Sequence, residues 1–397
     1  MHHELDGRRQ RSITTRAQIL DAAEELFATN GYHATSLRSI ARAIGMTHAG
    51  VLTHFASKEA VLVELLLQIE QEAMDHNDLI DMAAKPPHEQ LMMAAAYNLD
   101  RELHLRLSVI LLGEAISPAH PGHEKLRVRF ELTRELFAAA FGEDGERLLA
   151  GWVGLQLLWL YLPERVDVMS LLSEEVEAVR NPAPDRTLPP AQVSATWVDA
   201  DGPLPTTTRR DEIIAAATGL FARTGYGATS VREIAASLGT SHSALRYYFP
   251  TKESLLQAVL EARDAAGATF PVDKPLDLLY GVYLRSAYND SSPELIDLYS
   301  VLVCEATDPH HAAHEYFRNR FTSLIDDTVA EFEKLKALGL ARPEVDAERY
   351  AIWAIAQWDG LQLHSFYGGS QQVAPAMLNA LGETLLVELP EAVRPAA

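Results

Sequence analysis

A chain of 397 residues is long for one hydrophobic core, so two or three domains are expected. Its 48% hydrophobic and 22% charged residues are those of an ordinary soluble globular protein, and the single cysteine, Cys304, excludes an internal disulfide and fits a reducing cytoplasm. The formal net charge of −21 excludes nucleic acid as a partner unless the charge is unevenly spread.

It is unevenly spread. Up to Phe55 the arginines 8, 9, 11, 16, 38 and 42 slightly outnumber the acids, whereas "EQEAMDHNDLID" and "LSEEVEAV" are one-signed acidic faces. No apolar stretch of the signal-peptide kind follows "MHHELDGRRQRSITTRAQ". The basic arm "GRRQRSITTR" either enters a minor groove or is disordered.

Next in the chain, Ile19, Leu20, Ala23, Leu26 and Phe27 recur at helical spacing, and Gly31 stands at a C-cap position. A short helix follows from Thr35 or Ser36, with Leu37, Ile40 and Ala41 on one face. Gly45 permits a left-handed turn, and "THAGVLTHF" supplies a third short helix. Helix, glycine-containing turn, helix is the helix-turn-helix pattern, whose second helix meets the DNA major groove through its N-terminal residues. On that geometry Thr47, His48, Ala49 and Thr53 face the groove, while Ile40, Ile44, Val51 and Phe55 pack inward. Further on, "LLAGWVGLQLLWLYLPE" after Arg147 is too short for a membrane span and contains Gln156, so it reads as a buried helix.

The pattern then returns. At one constant spacing Phe27, Gly31, Tyr32, Thr35, Arg38, Gly45, His48, Phe55 and Lys58 recur as Phe221, Gly225, Tyr226, Thr229, Arg232, Gly239, His242, Phe249 and Lys252. Behind each module "AYN" repeats at Ala96 and Ala287, and Glu114, His120, His123 and Phe130 pair with Glu305, His311, His314 and Phe321. "GLQL" repeats at Gly154 and Gly360. A whole protomer is duplicated. Between the copies, Arg180 to Thr208 carries six prolines, which deny regular hydrogen bonding and predict a linker extended at least in part. At ~3.3 Å per residue it reaches roughly 90 Å.

The segments "ILDAAEELFATNGYHATSLRSIARAIGMTHAGVLTHFASKEAVL" and "IIAAATGLFARTGYGATSVREIAASLGTSHSALRYYFPTKESLL" resemble the DNA-binding domain of TetR-family transcriptional regulators. The resemblance implies an all-α fold with two protomers in one chain, each a three-helix helix-turn-helix domain followed by a helical ligand and dimerisation domain. The expected boundaries are 12–60 and 61–180 for the first protomer, 181–206 for the linker, and 207–254 and 255–390 for the second. It implies a double-stranded DNA operator and a small-molecule effector as partners, no cofactor, no membrane, and a repressor that the effector releases. Because the family pairs two protomers, the chain is expected to be an intramolecular pseudo-dimer, against the alternative of two chains with four heads. A protein whose heads no longer bind DNA is the rival function.

The DNA contacts so implied are Thr35, Arg38, Thr47, His48, Ala49, Thr53, His54 and Lys58 in the first head. In the second they are Thr229, Arg232, Ser241, His242, Ser243, Arg246, Tyr247, Tyr248 and Lys252. The family's phosphate-binding tyrosine is replaced by Leu52, which cannot donate, and by Arg246, which can. Leu52 either packs or marks a weakened head. Lys58 and Lys252 are expected on backbone phosphate, the alternative being a solvated charge. The differences between the heads imply an imperfect palindrome.

For the effector, Tyr97, Trp152, Gln156, Trp159, Tyr288, Trp353, Trp358, Gln362 and His364 are candidates, with core or interface packing as the plainer reading. The acidic body suggests a cationic effector or only a solvated face. Histidines at i and i+3 in "HPGHEKLRVRF" and "HHAAHEYFRNRF" lack a third ligand at fixed spacing, so no metal is expected. No Gly-rich phosphate loop after a strand and no nucleophile elbow speak for an enzyme.

Overall fold

The computed structural model describes residues 2–76, 84–181, 187–194, 208–265, 272–289, 293–369 and 372–390, and side chains are described from residue 14 except at 76, 265, 288–289 and 293–295. Among these the only regular structure is helical, with two isolated bridges. The first head comprises α1 (His2–Ala34), α2 (Leu37–Ala43) and α3 (His48–Leu52). Its body follows as α4 (Lys58–His76), α5 (Pro87–Leu99), α6 (Glu102–Glu114), α7 (His123–Phe141), α8 (Gly145–Tyr161) and α9 (Val168–Arg180). The second head is α10 (Arg209–Ala228), α11 (Val231–Ser237) and α12 (His242–Tyr248). Its body is α13 (Lys252–Ala265), α14 (Asp277–Asn289), α15 (Pro293–Glu305), α16 (His314–Ala337), α17 (Ala347–Ser365) and α18 (Val373–Thr384).

The short helices form where local chemistry starts them. Ser36 accepts from the Ser39 N–H and Ser39 returns the bond, a capping box that Ser230 and Glu233 repeat in the second head. Thr47 and Ser241 cap α3 and α12 by accepting from the amides of Gly50 and Ala244. Between the helices Gly45 and Gly239 take φ of 68° and 59°. Beneath each head Phe27, Ile40, Val51 and Phe55, and Phe221, Ile234, Leu245 and Phe249, are buried.

The two bodies pair along a pseudo-twofold axis. α8 lies on α17, so closely that Gly154 faces the Ala356 backbone and Gly360 faces the Ala150 backbone. α6 crosses α15 where Gly113 meets Cys304. Tyr161 reaches across to donate to the Val303 carbonyl at 2.6 Å, and Tyr367 donates to the Leu112 carbonyl at the same distance. A single apolar core runs through both bodies and both heads. Such obligate contact behaves as a domain core divided between two halves rather than as a wet, transient interface.

Within the expected linker, residues 187–194 run extended beside the C-terminal segment, with Ala191 donating to Glu388 at 2.7 Å. Val193 packs on the second body, and the Ser194 amide donates to Asp277. Among the described residues no helix is long and apolar enough to cross a membrane.

Candidate functional site

The recognition helices stand out from each head. Thr47, Ala49 and Thr53 are exposed and His48 and His54 half-buried on the first; Ser241, Ser243, Arg246 and Tyr248 are exposed and His242 half-buried on the second. Tyr247, at 84% exposure, touches little of the protein beyond Tyr248. Arg38 and Arg232 are exposed on the preceding helices. The heads differ in shape as well as residue type, because α12 runs to Tyr248 whereas the first recognition helix stops at Leu52, itself 42% exposed. The Thr53 hydroxyl is turned back onto the Gly50 carbonyl, and the Arg246 Nε donates to Pro250. Side chains of the arm up to residue 13 lie outside the described residues.

Four of the expected DNA contacts are corrected. Thr35 and Thr229 are 3% and 2% exposed, and their hydroxyls donate to the carbonyls of Leu26 and Gly225. Lys58 does not present its ammonium to a phosphate: it donates to the carbonyls of Tyr32 at 2.6 Å, His33 at 3.3 Å and Thr35 at 2.7 Å. Lys252 likewise donates to Tyr226 and Gly227. The cause is the break in the preceding helix, which leaves carbonyls without helical partners and so attracts a cation.

These lysines belong to a joint between each head and its body. Gly31 takes φ 78°, ψ 166° inside α1, and Gly225 takes 79°, 166° inside α10. The freed amides of Tyr32 and His33 donate to the Glu114 carboxylate at 2.7 and 3.1 Å; those of Tyr226 and Gly227 donate to Glu305. Each tyrosine ring carries its lysine at 4.1 Å and meets a histidine edge-on, His120 at 4.8 Å and His311 at 5.1 Å. Burial keeps both imidazoles neutral, down to about 3 at His120 and about 4 at His311. Their Nδ1 atoms accept from Gly122 and Ala313, while His123 and His314 pair with the carbonyls of Ala115 and Ala306. The histidine repeats are therefore structural pieces of the joint. Among the described residues no group of three or more possible ligands is poised to hold a metal.

Burial, with Glu305 nearby, pushes the Glu114 carboxyl up to about 8 against the pull of its two amide donors. A carboxyl raised in this way holds a proton in the folded chain that the unfolded chain has already released. Its contribution is therefore complete below about 4.5 and is lost as pH rises toward 8. Glu114→Gln should flatten that loss. Urea unfolding at a series of pH values should give a wild-type advantage over the variant that shrinks with rising pH; parallel profiles would count against the assignment.

The large cavity, about 520 Å³, lies in the second body between α13, α14, α15, α16 and α17. Of the expected effector residues whose side chains are described, only Trp358 lines it. Gln156 is tied to Asn98 at 2.9 Å and Trp152 stacks on Phe137 in the first body. Tyr97 is buried beneath Arg101 there. Trp159 packs on the core, and Gln362, Trp353 and His364 are buried on α17, His364 against Phe130 at 4.9 Å. The Tyr288 side chain lies outside the described residues. What the sequence reading missed are Arg263, Arg285, Arg320, Tyr299 and Asp359, all on the cavity wall. A signal existed: Arg263, Arg285 and Asp359 stand where the first copy has Ile69, Ala94 and Val153.

The family model for bacterial regulatory proteins of the tetR family matches residues 19–65 and again 213–259, the two heads. The chain is similar to the HTH-type transcriptional regulator UidR of Escherichia coli (strain K12), 33% identical over 70 residues, covering 18% of this chain and 36% of that protein. It is similar to the HTH-type transcriptional repressor KstR2 of Mycolicibacterium smegmatis, 26% identical over 184 residues, covering 40% and 82%. It also resembles the HTH-type transcriptional regulator RutR of Escherichia coli (strain K12), 27% identical over 153 residues, covering 37% and 66%. The head is matched twice in one polypeptide and each copy is followed by a helical body, so the chain carries two tetR-type heads in tandem.

Proposed function

We propose that the protein is a sequence-specific DNA-binding transcriptional regulator, a repressor whose two unlike heads read an imperfect palindrome and let go when a small molecule occupies the second body. The observation that carries this reading is the pair of exposed recognition helices, N-capped by Thr47 and Ser241, on heads locked to one shared body. KstR2, to which the chain is similar, is a transcriptional repressor, which supports the sign of action. Arg38, Thr47, His48, Ala49, Thr53 and His54 would contact DNA from one head, and Arg232, Ser241, His242, Ser243, Arg246, Tyr247 and Tyr248 from the other.

A route for release is built into α15. Ile296 and Tyr299 line the cavity, while Glu305 at the end of the same helix holds the second head. One residue earlier Cys304 presses on Gly113, the neighbour of Glu114, which holds the first head. A molecule that displaces α15 therefore acts on both joints. It releases DNA only if it binds the displaced arrangement more tightly.

The test is selection from a genomic DNA pool followed by salt titration of the recovered site. A steep salt slope and an asymmetric motif are expected; no DNA retained at low salt, or a perfect palindrome, would sink the respective claims. Arg232→Ala should lower the slope by about one, the change expected when a single phosphate partner is removed. Tyr247→Ala should weaken operator binding by roughly tenfold, about 1.4 kcal/mol, with unchanged thermal stability because the ring is exposed. Equal binding by the Tyr247 variant would remove that residue from the interface.

A further inference from the structure

The internal duplication supplies a comparison for the cavity. By the spacing of the repeats, Trp358 on α17 corresponds to Trp152 on α8, and Thr328 on α16 corresponds to Phe137 on α7. In the first body the two rings stack, with centres 6.1 Å apart and planes 16° from parallel, and Phe137 is buried. In the second body threonine replaces the phenyl ring, and Trp358 and Thr328 both line the cavity. Ala354 likewise stands on the wall where the first body buries Leu148. The cavity thus opens where the second copy has exchanged an aromatic ring and a long aliphatic side chain for small ones. Around it Val282, Ile296, Leu324, Ile355 and Met377 make much of the wall apolar. The volume falls within the range of about 300–1,000 Å³ usual for small-molecule sites.

The same wall holds hydrogen-bonding groups that the protein leaves unmatched. Asp359 and Tyr299 stand where the first copy has Val153 and Ser108. Asp359, 4% exposed, accepts from the Tyr299 hydroxyl, but its Oδ2 is buried without a hydrogen-bond partner. Arg320 lies over the Tyr299 ring, 5.9 Å from its centre, and its Nε is also buried and unpartnered. A buried donor and a buried acceptor left open each cost free energy, so a molecule that brings an acceptor and a donor on one edge serves both. Charge does not choose this molecule, because arginines and aspartates both line the wall and Arg263 and Arg320 both donate to Asp264.

We propose that the second body takes a neutral aromatic amide, one molecule per chain. Its ring lies on Trp358 where the first body places its own Phe137, its N–H donates to Asp359, and its carbonyl accepts from Arg320. The inference rests on the reading of the protein as effector-released and adds the effector's chemistry and stoichiometry. It replaces the cationic effector that the acidic body suggests. Tyr299, beside both polar groups, ties the site to α15, the helix that ends at Glu305.

The experiment uses the full chain without DNA at pH 8, where Asp359, pushed up by burial to about 7, is mostly ionised. N-methyl-2-naphthamide and methyl 2-naphthoate share one outline and differ only in an N–H replaced by oxygen. Calorimetric titration should give one amide per chain, bound about tenfold more tightly than the ester, as expected when one buried acceptor is left unmatched. The 2-naphthoate anion and the 2-naphthylmethylammonium cation should both bind more weakly than the amide. Asp359→Val, which imports the first body's residue, should weaken the amide about tenfold, to the level of the ester, and change the ester less than about twofold. Thr328→Phe, which imports the first body's ring, should suppress both without lowering the melting temperature. No binding of the amide, equal affinity for amide and ester, preference for either ion, two sites per chain, or a folded Thr328→Phe variant that binds normally would each overturn the proposal. The comparisons among ligands need no variant and decide the matter even where a substitution fails to fold. Operator binding is measured separately on the same protein. Loss of DNA binding with the amide preference intact would refute the regulator reading and leave the amide site standing.

Discussion

Gly154→Ala and Gly360→Ala are expected to destabilise the protein more than any surface change, by about 3 kcal/mol each, the upper part of the range for forcing atoms into a packed interior. A Cβ on Gly154 would stand 1.7 Å from the Ala356 carbonyl oxygen, and one on Gly360 would stand 1.9 Å from that of Ala150. Backbone rather than a movable side chain blocks the way, so α8 and α17 must separate along their whole contact. Separation would also pull on Tyr161 and Tyr367, whose hydroxyls bridge to the opposite half. Urea denaturation should show a fall in the midpoint for either variant. The double variant should cost less than the sum, since the first substitution already opens the crossing. An unchanged midpoint would mean that the two bodies are not held together in this way.

The second large effect is expected at the joints. Gly31 and Gly225 occupy a backbone region open essentially to glycine alone, at a cost of order 1–3 kcal/mol for any other residue. An added Cβ would also stand 2.5 Å from Glu114 Oε1 or 2.9 Å from Glu305 Oε2, displacing the carboxylate that two buried amides need. Each unmet buried amide costs about 1–3 kcal/mol more. Gly225→Ala should therefore free the second head from its body while the paired bodies stay folded. Operator affinity should drop by roughly a hundredfold or more, about 2.7 kcal/mol, because two heads no longer hold one spacing. Gly239→Ala is the control: its φ of 59° is also left-handed, but nothing lies within 4 Å of the added carbon. It should cost about 1 kcal/mol, the left-handed penalty alone. Equal losses in the two variants would show that the joint does not transmit head position.

Much of this molecule is legible in the residues taken in order. The heads could be read because capping at Ser36 and Thr47, helical spacing through Ile40 and Val51, and a left-handed turn at Gly45 are all local. The doubling could be read because it needs only a comparison of the chain with itself. Lys58 could not be read correctly. Its partners are carbonyls released by a helix break at Gly31, and a lysine beside an exposed helix looks the same in sequence whether it turns outward or inward.

The effector residues were harder still. Aromatic and polar side chains on late helices were the natural candidates, yet Trp152, Gln156 and His364 face packed neighbours, and among the described side chains only Trp358 reaches the cavity. Arg263, Arg285 and Arg320 sit on three separate helices, each indistinguishable from a solvated surface charge until the helices are assembled.

By itself, then, the sequence determined the all-helical class, the two tetR-type heads and the differences on their recognition helices, since each depends on contacts within a few residues. The tertiary structure alone decided that a lysine and a glutamate lock each head to its body. It alone brought Arg263, Arg285 and Arg320 from three helices to the wall of one cavity in the second body. Both outcomes depend on residues far apart in the chain that meet only when the helices pack, and on the low-dielectric interior that makes their charges count.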